Sequence, residues 1–367
     1  MPALPATSAD QRAARPSRRI VILAEGHLNH NDAKTAVGIL RYSDHIVVAV
    51  IDRMNAGCDV AVVLGEPAGA GVPIVAELRE ALAYSPDTLL IGIAPVGGRL
   101  PEEWRTQLFA AIRAGMDVVS GLHMLLEDDA ELVAAAREHG VRLWDVRKPP
   151  PHLAQRIRQD LPHRIGSHVI YFAGTDCNVG KMTASVELDR ASRRWGLSSA
   201  FVATGQTGIL IAGDGVPADR VISDFLPGAV EGVVVPAAEA ADWVWVEGQG
   251  SLLHPAYSAV TLGLLHGAAP DAQILCHEAG RTAIRHYERQ PIPPLGEVRA
   301  IYEQAAAWLK PAPVVAIVLN TRLLSEGEAR AAISAAEAET GLPTDDPVRF
   351  GADHLVEAVT AAVERLS

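Results

Sequence analysis

Short apolar runs alternate with amphipathic stretches along the chain. In the first half, the runs at 20–24, 46–51, 60–64, 89–94, 118–119 and 141–144 have strand length and are predicted as strands. Between them, residues 32–42, 74–84, 102–114 and 130–139 space their apolar positions for helices. Strands and helices taken in turn predict βαβ units and a mostly parallel sheet. The pattern stops at Lys148-Pro149-Pro150-Pro151, where three prolines remove the amides that a helix or a ladder needs. A basic stretch with Arg156, Arg158, His163 and Arg164 follows. A second alternation then begins, with strands predicted at 168–173, 199–203, 243–247, 273–276 and 314–320. Its helices are predicted at 181–195, 296–309, 326–339 and 352–366. The expected fold is α/β in two domains: a flexible tail over 1–19, a Rossmann-like domain over 20–150, a linker over 151–165, and a phosphate-loop domain over 166–367.

Composition narrows the partners. The chain has 367 residues, enough for roughly two domains, and 49% of them are hydrophobic, enough for sizeable cores. Lys and Arg number 32 against 44 Asp and Glu, a net charge of −12, which repels nucleic acid and anionic membrane alike. Cys58, Cys177 and Cys276 are odd in number and widely spaced, so a reducing cytoplasm is expected rather than a disulfide framework. No apolar run nears the roughly 18 residues of a membrane span. The arginines before residue 20 have no apolar segment of the kind a secretory signal carries.

The sharpest chemistry is Gly174-Thr175-Asp176-Cys177-Asn178-Val179-Gly180-Lys181-Met182-Thr183, between an apolar strand and a helix. Successive backbone amides there form an anion nest, the helix start adds positive potential, and the lysine supplies a point charge for phosphate oxygens. The spacing departs from the common phosphate-loop pattern: five residues separate Gly174 from Gly180, and Met182 stands where a Mg²⁺-binding hydroxyl is usual. A strand ending at Glu247, before Gly248-Gln249-Gly250-Ser251, places an acid at the same sheet edge. Thr204-Gly205-Gln206-Thr207-Gly208 reads as a further ligand loop, and Asp224 as a second metal carboxylate or a helix cap.

Histidines follow at 254, 266, 277 and 286, in no zinc-binding spacing. His254 and His277 are the candidates for a general base. Cys276, ending an apolar strand, is expected to be buried and inert. In the first half Asp52 occupies the place of a ribose-binding acid, and Gly97-Gly98 ends a strand, but a full GxGxxG is absent. A structural role for that half is therefore favoured over nucleotide binding.

The loop from Gly174 to Lys181, the Glu247–Ser251 turn and the strand ending at Asn320 resemble the dethiobiotin synthetase branch of phosphate-loop proteins. A wider resemblance spans nearly the whole chain. Ala24-Glu25-Gly26, Arg41-Tyr42 and Val48–Asp52, with Ser223-Asp224-Phe225, His254-Pro255-Ala256-Tyr257-Ser258 and Leu275–Arg281, are similar to a bacterial family long labelled a domain of unknown function. Some of its members are assigned as D-glutamate N-acetyltransferases that work with a deacetylase-racemase. The resemblance implies acetyl transfer from acetyl-CoA to a small acidic amino acid, D-glutamate above all. The loop 174–183 would then hold the phosphates of CoA, with no metal required. In that reading His254, His277 and Glu247 are the catalytic candidates, and Gln206, Thr207 and Arg281, or Arg41, the substrate contacts. The competing readings are an ATP–Mg²⁺ ligase or kinase, with Asp224 and Glu247 on the metal, and a nucleotide-binding regulator without turnover. A homo-oligomer is expected for such an enzyme.

Overall fold

The computed structural model describes residues 17–30, 32–93, 100 and 102–366. They divide into two compact units, each built on a six-stranded sheet whose neighbouring strands are all parallel. Among the described residues, the first unit holds the chain up to Pro149 together with Gln206–Pro217. The second holds Pro150–Gly205 and the chain from Ala218 onward. The segment Gln206–Pro217 thus leaves the unit that its sequence neighbours build.

In the first unit the strands are β1 (Arg19–Leu23), β2 (Ile46–Ile51), β3 (Ile74–Val75), β4 (Thr88–Ile91), β5 (Asp117–Ser120) and β6 (Leu143–Asp145). They lie in the order β3-β2-β1-β4-β5-β6, the doubly wound arrangement in which strand order reverses beside β1. Two assignments exchange places relative to the sequence pattern. Residues Val60–Leu64 form a helix, because Asp59 accepts the Ala61 amide at its start and Gly65 ends it at φ 60°. Residues Ile74–Val75 form β3, and helix begins only at Leu78. Short buried apolar runs carry no periodicity that separates the two states, so capping decides.

Asp52 is fully buried and its carboxylate is spent locally. It accepts the amides of Gly26 (3.0 Å) and Met54 (3.3 Å) and the Asn55 side chain (2.6 Å). Three local donors hold the carboxylate in place, a role within the fold. Arg41 is likewise engaged, donating through Nε to Glu66 (2.7 Å). Gly97-Gly98 lies outside the described residues.

In the second unit the strands are β7 (His168–Gly174), β8 (Ser199–Val202), β9 (Trp243–Val246), β10 (Ala272–Glu278), β13 (Val314–Asn320) and β14 (Thr344–Asp345), ordered β14-β13-β10-β7-β9-β8. A separate antiparallel hairpin pairs β11 (Ala283–Ile284) with β12 (Tyr287–Pro291). Ile170, Phe172, Trp245, Ile274 and Leu355 are fully buried in the core that carries β7. The prolines at the predicted linker start a short helix, Pro151–Ala154, since proline at the first helical position gives up only an amide that has no partner there. Its continuation is pinned: the buried Glu231 accepts the amides of Gln159 (2.9 Å) and Leu161 (3.0 Å).

One glycine shows how tightly β7 and β9 are joined. A Cβ at Gly248 would lie 1.9 Å from the Phe172 carbonyl oxygen. Gly248→Ala is expected to cost about 1–3 kcal/mol by overpacking, read as a lower urea midpoint at unchanged slope.

Candidate functional site

The loop that follows β7 sits where strand order reverses, between β10 on one side and β9 on the other. Ligands of open parallel sheets bind at such a point. Its start is held by Tyr302, whose hydroxyl donates to the Gly174 carbonyl (2.8 Å) and accepts the Leu252 amide (3.1 Å). Burial pushes that phenol up to about 12, so it stays protonated. Thr175 donates its amide to Cys276 and receives the Ser251 hydroxyl on its carbonyl (both 3.0 Å).

Asp176 is buried and holds the loop together. One carboxylate oxygen accepts the Cys177 amide (2.6 Å). The other accepts both Arg281 Nη1 (2.9 Å) and the Arg285 amide (2.8 Å). Arg281 also pairs with Glu278 (2.9 Å) and donates to the Cys177 carbonyl (2.8 Å). Its charge is thus met by two carboxylates, and the predicted substrate clamp is an anchor of the loop. Sequence reasoning passed over Arg285. Its amide is tied to the loop, and among the described residues its half-buried guanidinium has no ion pair.

Lys181 starts the helix Lys181–Arg194 and is 7% exposed. Its ammonium donates to the Asp176 carbonyl (2.8 Å), leaving two of three protons for a ligand. Gly174 makes room for it, since a Cβ there would lie 2.8 Å from Nζ. Burial holds this ammonium below the usual lysine range. Val179, by contrast, points into the core, Asn178 stands exposed at φ 58°, and Met182 and Thr183 are half-buried on the first helical turn.

Glu247 follows β9 and is 3% exposed. It accepts the amides of Thr204 (2.9 Å) and Gly205 (3.1 Å) and the Gln249 side chain (3.1 Å). Burial pushes its carboxyl up to about 7, against the pull of those amides and of the Lys181 charge. Across β7, His277 shares a hydrogen bond with the Thr175 hydroxyl (2.9 Å) and lines a cavity of about 390 Å³ with Pro294, Leu319, Ala336 and Glu339. Burial and the neighbouring Arg281 push it down to about 4, so it is neutral at pH 7. His254 is buried, stacked on Tyr257 (4.4 Å between centroids) and met edge-on by Tyr287 of the hairpin (5.1 Å).

Gln206 and Thr207, expected as substrate contacts, are counted with the first unit. They begin the helix Gln206–Ala212 in the first unit, where the Thr207 hydroxyl meets that of Thr35 at 3.2 Å. His266 bonds to the Ala305 carbonyl (3.0 Å) and is structural. Cys276 is buried with its thiol pushed up to about 12, as inert as expected.

A metal does not suit the donor set. Asp176, Cys177 and His254 bring ligand atoms within 4.8 Å of one another. Yet Asp176 already faces Arg281, and His254 Nδ1 accepts the Ala256 amide (3.1 Å). An imidazole so bound carries its own proton on Nε2 and offers no lone pair there. Asp224, the other candidate, lies exposed on the turn Ser223–Phe225, and Glu247 already accepts three N–H donors, with one acceptor position left on the oxygen that meets Gln249.

Residues 157–356 match the P-loop domain described as domain of unknown function DUF1611, and residues 53–149 match the Rossmann-like N-terminal domain of the same family. The chain belongs to the DUF1611 family. A protein of Tritonibacter scottomollicae named D-glutamate N-acetyltransferase is 44% identical over 285 residues, 77% of this chain and 84% of the relative. One of the same name from Pseudoalteromonas sp. is 38% identical over 278 residues, 76% of this chain and 82% of that one. The crystal structure of a DUF1611 family protein from Anabaena variabilis ATCC 29413 superposes with a TM-score of 0.86 at 42% identity, covering 94% of this chain and all of that one. No helix among the described residues of this DUF1611 chain is long and apolar enough to cross a membrane.

The raised Glu247 carboxyl has a consequence for stability. The unfolded state ionises it near the ordinary value, the folded state only at about 7. Its favourable contribution is therefore full at low pH and is lost as pH rises through about 7. Between pH 4.5 and 8, the wild type is expected to lose about 2–4 kcal/mol relative to Glu247→Gln, followed by urea unfolding of both proteins across that range.

Proposed function

We propose that this chain transfers the acetyl group of acetyl-CoA to the amino group of D-glutamate. The observation that carries the proposal is the 44% identity, over 285 residues, to a relative named D-glutamate N-acetyltransferase. The site's chemistry supports it. The loop amides, two free protons of Lys181 and the unpaired Arg285 suit the pyrophosphate of CoA without a metal. Glu247, poised at about 7, is the proton acceptor best matched to neutral pH, whereas His277, at about 4, is too weak a base.

The reaction balances as follows. The substrate ammonium loses one proton to solvent, and the free amine attacks the thioester carbonyl carbon. A C–N bond forms, and Glu247 takes the second amine proton. The C–S bond breaks, and the CoA thiolate receives that proton. The products are N-acetyl-D-glutamate, CoA and the proton released at the start.

The test follows thiol release from acetyl-CoA with D-glutamate and L-glutamate in parallel. Release with the D-isomer that survives EDTA is expected. Absence of thiol release with either isomer, together with EDTA-sensitive ADP formation from ATP, replaces the proposal with ligase or kinase chemistry. Lys181→Ala is expected to weaken CoA binding at least about tenfold, one charge-assisted hydrogen bond being worth about 1.5–3 kcal/mol.

Glu247 has its own kinetic signature. Only the ionised carboxylate accepts a proton, so kcat should climb as pH passes through about 7. Glu247→Gln should lower kcat by about 10²-fold or more and leave CoA affinity within a few-fold. A variant that keeps the wild-type rate and pH profile removes Glu247 from the proton path.

A further inference from the structure

The His254 ring, 3% exposed, makes a single hydrogen bond, and it uses Nδ1, which accepts the Ala256 amide (3.1 Å). A neutral imidazole that accepts at Nδ1 holds its proton on Nε2. The ring's other edge is therefore a donor, and no described residue accepts from it. Burial lowers the tendency of the ring to gain a second proton, the Lys181 and His286 charges act the same way, and Asp176 opposes them. Tyr257 stacked on one face and Tyr287 against its edge fix the plane, and the Ala256 amide sets which nitrogen faces the backbone. One of its nitrogens lies within 4.8 Å of an Asp176 carboxylate oxygen and the Cys177 thiol, which places the ring against the phosphate loop.

We infer that His254 is a fixed neutral hydrogen-bond donor to an anionic phosphate oxygen held over the loop, and is not the general base of the reaction. The inference rests on the donor reading above and assigns His254 to binding of that same ligand. It gives the donor edge, which no described residue meets, an acceptor in the bound ligand. It also explains the packing of the hairpin. Tyr287 holds the ring from the strand that follows Arg285, so both groups take their position from β12 and the turn before it. A base would need the opposite tautomer, with its lone pair toward the ligand and an N–H facing the Ala256 amide, two donors in collision.

The experiment compares wild type with His254→Ala and His254→Gln. Glutamine carries an N–H at about the reach of Nε2 and has no basic lone pair. CoA affinity is measured by calorimetry and acetyl transfer by thiol release at saturating acetyl-CoA, with thermal melts confirming that each variant is folded. His254→Ala is expected to weaken CoA binding about tenfold or more, while His254→Gln stays within about threefold of wild type in both CoA affinity and kcat. CoA affinity unchanged in both variants, with kcat lost in both, makes His254 the base and overturns the inference. Equal loss of CoA affinity in both folded variants also overturns it, because an added donor would then contribute nothing. If wild type does not bind CoA, the donor reading fails instead. The same three proteins are then titrated with inorganic pyrophosphate, where the order wild type, Gln, Ala is expected, and equal affinity of all three overturns the inference.

Discussion

The buried carboxylate of Asp176 is the constraint on which the site depends. Breaking a buried ion pair costs about 3–5 kcal/mol, so Arg281 and the carboxylate must stay together, and with them everything that each holds. Through its two oxygens Asp176 ties the loop to its own Cys177 amide, to Arg281 and to the Arg285 amide of the hairpin. Arg281 in turn reaches Glu278, at the end of β10. The loop is thus built before any ligand binds, and the ordering cost falls on folding rather than on binding. The same network consumes Arg281 and leaves Arg285, four residues on, with its charge unspent.

Around that loop, burial sets each group's chemistry. Three titratable side chains stand at the ends of the strands flanking β7 or at the helix start after its loop, and desolvation drives each toward its neutral form. Glu247 is pushed up to about 7 and His277 down to about 4, while Lys181 is held below the usual lysine range. A carboxyl near 7 and an imidazole near 4 reverse the usual order of basicity between those residue types. The histidines are the first choice of base from residue type alone, and burial makes His277 the weaker base of the two groups. Only the packed structure shows this reversal, because it depends on how much water each group has lost.

The two units also differ in what their strand ends do. The first has the strand order of a dinucleotide-binding sheet, but Asp52 spends its carboxylate on Gly26, Met54 and Asn55. The single glycine after β1 already argued for that structural role. The segment 206–217 was invisible as an exchange between units. Thr204 and Gly205 stay beside Glu247, and Gln206 and Thr207, next in sequence, begin a helix counted with the first unit. Composition does not change at that point, so nothing local signals the crossing.

Taken alone, the sequence determined the alternation of strand and helix, the division near Pro149 and Pro150, and the loop from Gly174 to Lys181. These are local properties, carried by apolar periodicity, proline chemistry and the spacing of glycine and lysine along a few residues. Tertiary structure decided the state of 60–64, where a cap at Asp59 outweighed a β-branched run. It also decided which arginine is neutralised, which ring nitrogen of His254 carries the proton and which acid is poised near neutrality. Each of these turns on a partner distant in sequence or on the loss of water around a group, and neither is written in the residues beside it.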